Sequence, residues 1–368
     1  MAVQKFRSIE EMNAAPQRSA TEADFERFLR HCARYWKIAP KVYPRGVWKF
    51  KSITEAPGAA NAPVNTIVVA ALCAVLLTAA SPAAARQPGG ALDLNTITKT
   101  ITVNGMAFPV VDHGTGPAVL LLHGFPDSRF LWRHQITPLV DAGFRVIAPD
   151  LRGFGDAPKP AAVADYRLQV VATDVIGILD ALGVTQARVV GHDWGAALAW
   201  FLAMTQPARV ERIAALSVGA IGNSGSSMLA QREKSWYFLF FQFEGIAEAT
   251  LMANDWAFFK EFARGQGDQD RNLKDLARPG ALTAALNWYR ANVRPQMPAP
   301  NAFPLPKMAM PAMGVWGDGD PFLTEEQVTR STERLSGPWR YEKVTGAGHW
   351  IMLDQPAELN RLLLDFLK

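Results

Sequence analysis

The run Val189-Val190-Gly191-His192-Asp193-Trp194-Gly195, continued by the apolar residues 196–204, limits the possible folds more than any other part of the chain. An apolar strand that turns through G-x-D-x-G into a helix presents the third residue on a sharp bend at the carboxyl end of a sheet strand. The flanking Gly191 and Gly195 remove side chains that would collide in that bend. The spacing is that of a nucleophile elbow, with aspartate where a hydrolase of this shape carries serine. A buried aspartate that only caps a helix has the same spacing.

The surrounding pattern is α/β. Residues 118–124 (AVLLLHG), 145–150 (RVIAPD) and 187–193 (ARVVGHD) are continuously apolar rather than alternating, which implies strands buried on both faces and a mostly parallel sheet covered by helices. Strands resume at 210–218, 312–320 and 339–346, and an antiparallel edge pair is predicted for 97–103 and 106–114, turning at Asn104-Gly105. With 49% hydrophobic residues in 368, a large core is within reach. Between 219 and about 311 the alternation breaks, and this aromatic-rich stretch is too long for a crossover and too hydrophobic for a loop. It is predicted to be a helical cap over the sheet.

Ahead of this body lie two other pieces. Residues 1–60 form a small basic extension with a helix expected from 21 to about 35, flanked by the echoes KFRSIEEM and KFKSITEA. Residues 1–56 hold 11 Lys/Arg against 6 Asp/Glu, a net +5, which leaves −1 for the remainder and gives no reason to infer nucleic-acid binding. Residues 64–90 contain an uncharged apolar run at 67–80 followed by Ser81-Pro82-Ala83-Ala84-Ala85. That reads as a signal-peptide-like or anchor segment with possible membrane contact through 64–85, although an Ala-rich linker or buried helix fits the same letters. The basic residues ahead of the run place the body outside the cytoplasm, exported or anchored; a cytoplasmic location is the alternative. The two cysteines, Cys32 and Cys73, both precede the body, which therefore lacks disulfide, thiolate-metal and cysteine-nucleophile options. No metal or organic cofactor is implied, since neither a ligand cluster nor a glycine-rich phosphate loop is present.

The rest of a catalytic set follows in the chain order expected for such a fold. His123-Gly124-Phe125-Pro126 ends a strand where a backbone N–H is offered to an oxyanion, Asp320 sits at a strand tip, and His349 precedes the last helix in GAGHW. Asp318 competes with Asp320 for the acid role, and the W-G-x-x-D placement favours Asp320. Gly153 and Gly155 in DLRGFGDAP belong to a structural turn. GNSGSS at 222–227 lacks the G-x-S-x-G frame, which argues against a serine esterase.

Aspartate as nucleophile also constrains the electrophile. Serine attacking a saturated carbon would leave an ether that no histidine-activated water can cleave. Aspartate leaves an ester, whose carbonyl such a water can attack while the N–H groups of Phe125 and Trp194 hold the oxyanion. A carboxylate of ordinary pKa, about 3.9, needs no base to become nucleophilic. His349 is then free to activate water, oriented by Asp320.

HGFPDS (123–128), GHDWGA (191–196) and GAGHW resemble the epoxide hydrolases of the α/β-hydrolase fold, with haloalkane and fluoroacetate dehalogenases as near relatives. The resemblance covers roughly 95–368 and implies an eight-stranded, mostly parallel sheet, with core at 95–220 and 306–368 and cap at 221–305. It implies that two cap tyrosines over the nucleophile fall on Tyr237 and Tyr289, whose O–H groups would stabilise the oxygen released when an epoxide opens to a vicinal diol. Trp236, Phe241 and Trp288, with other cap aromatics, suggest an apolar epoxide, water being the co-substrate. Dehalogenation by the same Asp193, His349 and Asp320 is the alternative, disfavoured by Phe125, where dehalogenases usually carry a polar residue. A further alternative makes the 1–60 arm a membrane-tethering or partner-binding module. Oligomeric state is not encoded in any feature of the sequence.

Overall fold

The computed structural model describes residues 92–293 and 306–368. The basic arm, its expected helix and echoes, and the apolar segment at 64–90 lie outside the described residues. Among the described residues no helix is long and apolar enough to cross a membrane.

Eight strands form one sheet: β1 (Thr98–Val103), β2 (Met106–His113), β3 (Ala118–Leu122), β4 (Arg145–Pro149), β5 (Ala187–His192), β6 (Val210–Leu216), β7 (Ala312–Gly317) and β8 (Trp339–Val344). Their order is β1-β2-β4-β3-β5-β6-β7-β8. β1 and β2 pair antiparallel, as do β2 and β4, and every other pairing is parallel. The hairpin turns at Asn104 (φ 51°) and Gly105 (φ 73°), the two left-handed positions that an Asn-Gly type I′ turn requires. All five residues of β3 and all six of β7 are buried, which is why their sequences are unbroken apolar runs.

The helices of the first half are α1 (Ile136–Asp141), α2 (Leu168–Ala181) and α3 (Trp194–Thr205). Between β6 and β7 come α4 (Leu229–Lys234), α5 (Tyr237–Phe240), α6 (Ile246–Ala263), α7 (Gln269–Leu276) and α8 (Ala281–Asn292); α9 (Glu325–Thr329), α10 (Ile351–Asp354) and α11 (Pro356–Phe366) complete the chain. α3 is apolar on every side because eight of its twelve residues are buried. α6 is broken at Ala253–Trp256, where three successive residues have positive φ.

Order in the sheet decides where a site can form. β3 lies between β4 and β5, so the chain leaves β3 toward one side and returns on the other, and the crevice at the carboxyl ends of β3 and β5 is a topological switch point. The loops carrying Phe125, Asp193, Asp320 and His349 all leave the carboxyl ends of parallel strands and therefore converge on one edge.

The loop after β4 carries both core and cap. Gly153 (φ 90°) and Gly155 (φ 48°) adopt backbone that other residues rarely take, and a Cβ at Gly155 would strike the Asp150 carboxylate. Asp150 is buried beneath Arg129, whose backbone N–H it also accepts. Next to it Arg152 grips Asp174 of α2 through two 2.7 Å hydrogen bonds, both side chains being 3% exposed. The Arg152 carbonyl in turn accepts the Trp288 indole N–H of α8 at 2.9 Å. Arg152→Ala would strand the buried Asp174 with only Asn104 as a close side-chain partner. Chemical denaturation of this variant is expected to show a loss of about 3–5 kcal/mol of unfolding free energy.

Candidate active site

Asp193 has φ 52° and ψ −122°, a strained conformation for a residue with a side chain, costing on the order of 1–3 kcal/mol. The surroundings leave no alternative. A Cβ at Gly191 would run into the Gly195 carbonyl, and one at Gly195 into the Leu122 carbonyl of β3. Gly124 is equally tight, since a Cβ there would overlap both the Asp193 carboxylate and the Trp194 amide nitrogen. The β3 loop can therefore lie directly against the elbow, and Phe125 N–H donates to Asp193 Oδ1 at 2.7 Å. Trp194 opens α3, so its N–H has no partner within the helix. Two backbone donors and one carboxylate share this corner.

His349 stands beside it. Its Nδ1 is 2.8 Å from Asp320 Oδ2 and its Nε2 is 3.7 Å from Asp193 Oδ2. Asp320 Oδ1 accepts the N–H groups of Phe322 and Leu323 at 2.8 and 2.9 Å, so the acid is oriented by its own turn. Burial works against its charge, yet His349 and those N–H groups outweigh burial and hold its pKa below the ordinary value. Burial likewise depresses His349, but Asp320 and Asp193 on either side overcome it and push the imidazole up to about 10. Asp318 instead accepts Gly346 N–H in an exposed turn, so of the two it is Asp320 that lies against His349.

The histidine loop is fixed through its backbone. The His349 carbonyl accepts from His192 Nε2 at 3.0 Å and from the Ser217 hydroxyl at 3.2 Å, and its N–H donates to Gln266 Oε1 at 3.0 Å. His192 is fully buried, and that burial, followed by repulsion from His349, lowers its pKa to about 3, so it stays neutral and serves as a donor.

A narrow cavity opens over Asp193 and His349. Tyr237 and Tyr289 line it, their rings 5.9 Å apart and edge to face. Burial, reinforced by the charge of Asp193, raises both phenols well above their usual pKa, so they remain protonated. Their neighbours set their positions. On α8, Trp288 is tied to Arg152, Arg290 pairs with the buried Glu248, and Asn292 accepts Leu168 N–H and donates to the Tyr166 carbonyl. On the α4 side, Gln231 bonds the Phe322 carbonyl and Thr324 N–H, while Lys234 Nζ donates to the carbonyls of Asp320 and Leu323.

Three residues expected to touch substrate are not part of the cavity wall. Trp236 faces outward at 41% exposure, Phe241 is buried within the cap against Phe125 and Tyr289, and Trp288 packs against Phe154 and Trp194. Adjacent helical residues point about 100° apart, and in the pairs Trp236-Tyr237 and Trp288-Tyr289 it is the tyrosine that faces the cavity. The aromatic wall is formed by Phe125, Phe259, Phe262, Phe322 and Trp350. The i, i+3 spacing of Phe259 and Phe262 is the sequence signal for two of these.

Asp127, inside the HGFPDS motif, also belongs to the site, although nothing in the motif sets it apart. It is buried, and its carboxylate accepts Trp350 Nε1–H at 2.8 Å and Asn272 Nδ2–H of α7 at 3.2 Å. Burial, with further repulsion from Asp193, raises its pKa to about 7. The folded state thus binds this proton more tightly than the unfolded chain, so its contribution to stability declines as pH rises from about 4 toward 7 and is level above. In denaturation at pH 5 and pH 8, Asp127→Asn is expected to gain on the unsubstituted protein by on the order of 2–3 kcal/mol at the higher pH.

Comparison with known proteins agrees with this architecture. The alpha/beta hydrolase fold family matches residues 117–356. Epoxide hydrolase A of Mycobacterium tuberculosis (strain ATCC 25618 / H37Rv) is 33% identical over 311 residues, spanning 73% of this chain and 96% of that protein. The AB hydrolase superfamily protein YfhM of Bacillus subtilis (strain 168) is 36% identical over 282 residues, with 73% and 96% covered. The crystal structure of epoxide hydrolase A from Mycobacterium thermoresistibile superposes with a TM-score of 0.62 at 32% identity, covering 73% of this chain and 97% of that one. The chain belongs to the epoxide hydrolases of the α/β-hydrolase fold.

Proposed function

We infer that this protein opens an epoxide to a vicinal diol through a covalent ester on Asp193. The observation that carries the reading is the division of labour between the two oxygens of that carboxylate. Oδ1 is tied to Phe125 N–H, whereas Oδ2 is directed toward His349. Oδ2 is therefore the attacking atom. It bonds to a ring carbon, the carbon–oxygen bond breaks, and the departing oxygen takes a proton through the hydroxyls of Tyr237 and Tyr289. Two buried phenols that are present in the protonated form can hydrogen-bond the departing oxygen, and a departing halide would make no use of their protons.

Oδ1 becomes the ester carbonyl oxygen and already occupies the corner where Phe125 N–H, joined by Trp194 N–H, can hold an oxyanion. His349 passes its resting proton, by way of solvent, to the tyrosine that gave one up. The neutral imidazole then removes a proton from water, whose oxygen adds to the ester carbon. Collapse breaks the ester bond, and the departing diol oxygen takes the second water proton, which restores the Asp193 carboxylate and the His349 imidazolium. The resting charge of Asp193 helps keep His349 protonated, and esterification cancels it. The imidazole pKa thus falls once the ester has formed, and the neutral form that can accept a proton becomes available at the step that needs it.

Replacing His349 with Gln should stop the second half-reaction and let the first proceed. Mass spectrometry after mixing that variant with an epoxide is expected to show the substrate mass added to the Asp193 peptide, with turnover reduced about 10²–10⁴-fold. Consumption of substrate with no modified peptide would refute the ester. Tyr237→Phe and Tyr289→Phe are each expected to slow ring opening by about 10–100-fold in single-turnover measurements, and the double variant should lose most activity. A fully active double variant would remove the tyrosines from the scheme.

A further inference from the structure

Amide side chains from α7 and the segment leading into it also line the cavity, and their commitments differ. Gln266 Oε1 accepts His349 N–H, and Asn272 Nδ2–H donates to Asp127. Gln269, one helical turn before Asn272, also lines the cavity, yet its Nε2 is buried and donates to no protein acceptor. A buried unpaired donor in a native structure calls for an explanation.

Relaxation of the segment does not supply one. Gln266 is pinned to the His349 backbone, and a Cβ at Gly348 would overlap its amide. Gly267 lies against the Trp350 indole with φ 74°, Asp268 pairs with Arg133 at 3.1 Å, and Asn272 is anchored on Asp127. Both flanks of Gln269 are thus fastened, and its side chain is held at the cavity wall in advance of any ligand.

We propose that Gln269 is a specificity-determining residue whose Nε2–H donates to an oxygen on the arm of the substrate, so that the preferred substrates are epoxides bearing an ether, carbonyl or hydroxyl oxygen beyond the ring. This inference rests on the epoxide hydrolase reading. It also revises the expectation of a purely apolar substrate, because aromatic walls accept a hydrocarbon but leave this donor desolvated and unpaired. A site built to donate a hydrogen bond discriminates against the analogue that lacks the acceptor.

The test compares phenyl glycidyl ether with 4-phenyl-1,2-epoxybutane, which replaces the ether oxygen by a methylene, for the unsubstituted protein and for Gln269→Leu and Gln269→Glu. The ratio of kcat/KM for ether over hydrocarbon is expected to fall about tenfold in Gln269→Leu. It should fall at least as far in Gln269→Glu, whose ionised carboxylate only accepts. Comparing ratios between variants cancels the intrinsic reactivity of the two epoxides, and thermal unfolding of each variant verifies folding. Equal loss on both substrates, or a ratio unchanged in both variants, would overturn the proposal. Calorimetric binding of the two product diols separates it from the underlying reading. If neither epoxide is turned over yet the ether diol binds preferentially and loses that preference in Gln269→Leu, the activity falls and the subsite stands. If both are turned over without any oxygen preference, the activity stands and the subsite falls.

Discussion

The backbone of Gly124 lies against the Asp193 carboxylate and the Trp194 amide, closer than any side chain at position 124 would permit. That approach depends in turn on β3 and β5 being neighbours, with Gly191 and Gly195 letting the elbow fold over the end of β3. The strain at Asp193 follows from it, because a residue at the tip of this elbow must stand up at a positive φ between strand and helix. Phe125 N–H can reach Oδ1 only because the two loops touch.

The titrating groups form an ordered series around that corner. Asp320 is held ionised, His192 neutral, His349 protonated and both tyrosines protonated, each by a different balance of burial and neighbouring charge. The balances at His349, His192 and both tyrosines all include the charge of Asp193, which the proposed reaction itself removes. Separated environments for groups a few ångströms apart are what allow acid and base steps at one pH.

Much of this is legible in the sequence because it depends on local pattern. Each expected strand is present: those in the middle of the sheet are legible because a strand buried on both faces reads as an unbroken apolar run, and the first pair because of its Asn104-Gly105 turn. The order Asp193, Asp320, His349 can be read because each residue sits at a strand end marked by glycine. What escapes is direction and distance. Nothing in the letters around Trp236-Tyr237 or Trp288-Tyr289 says which of two adjacent aromatics faces inward. Asp127 and Trp350 meet across 223 positions, and the idle Gln269 is recognisable only once its neighbours are seen to be occupied. His192 reads as an ordinary strand-end residue until its ring is found beneath the His349 carbonyl.

The ties between roof and sheet run straight into the reacting loops: Lys234 and Gln231 to the Asp320 turn, Gln266 to His349, Asn272 to Asp127, Trp288 to Arg152. A chimera that grafts the 221–305 insertion onto a foreign hydrolase scaffold would therefore import two phenols without the anchors that aim them. The exchangeable module is larger, comprising the insertion together with the recipient contacts at 127, 152, 320–324 and 349, and swaps that respect those seams are the ones that preserve alignment.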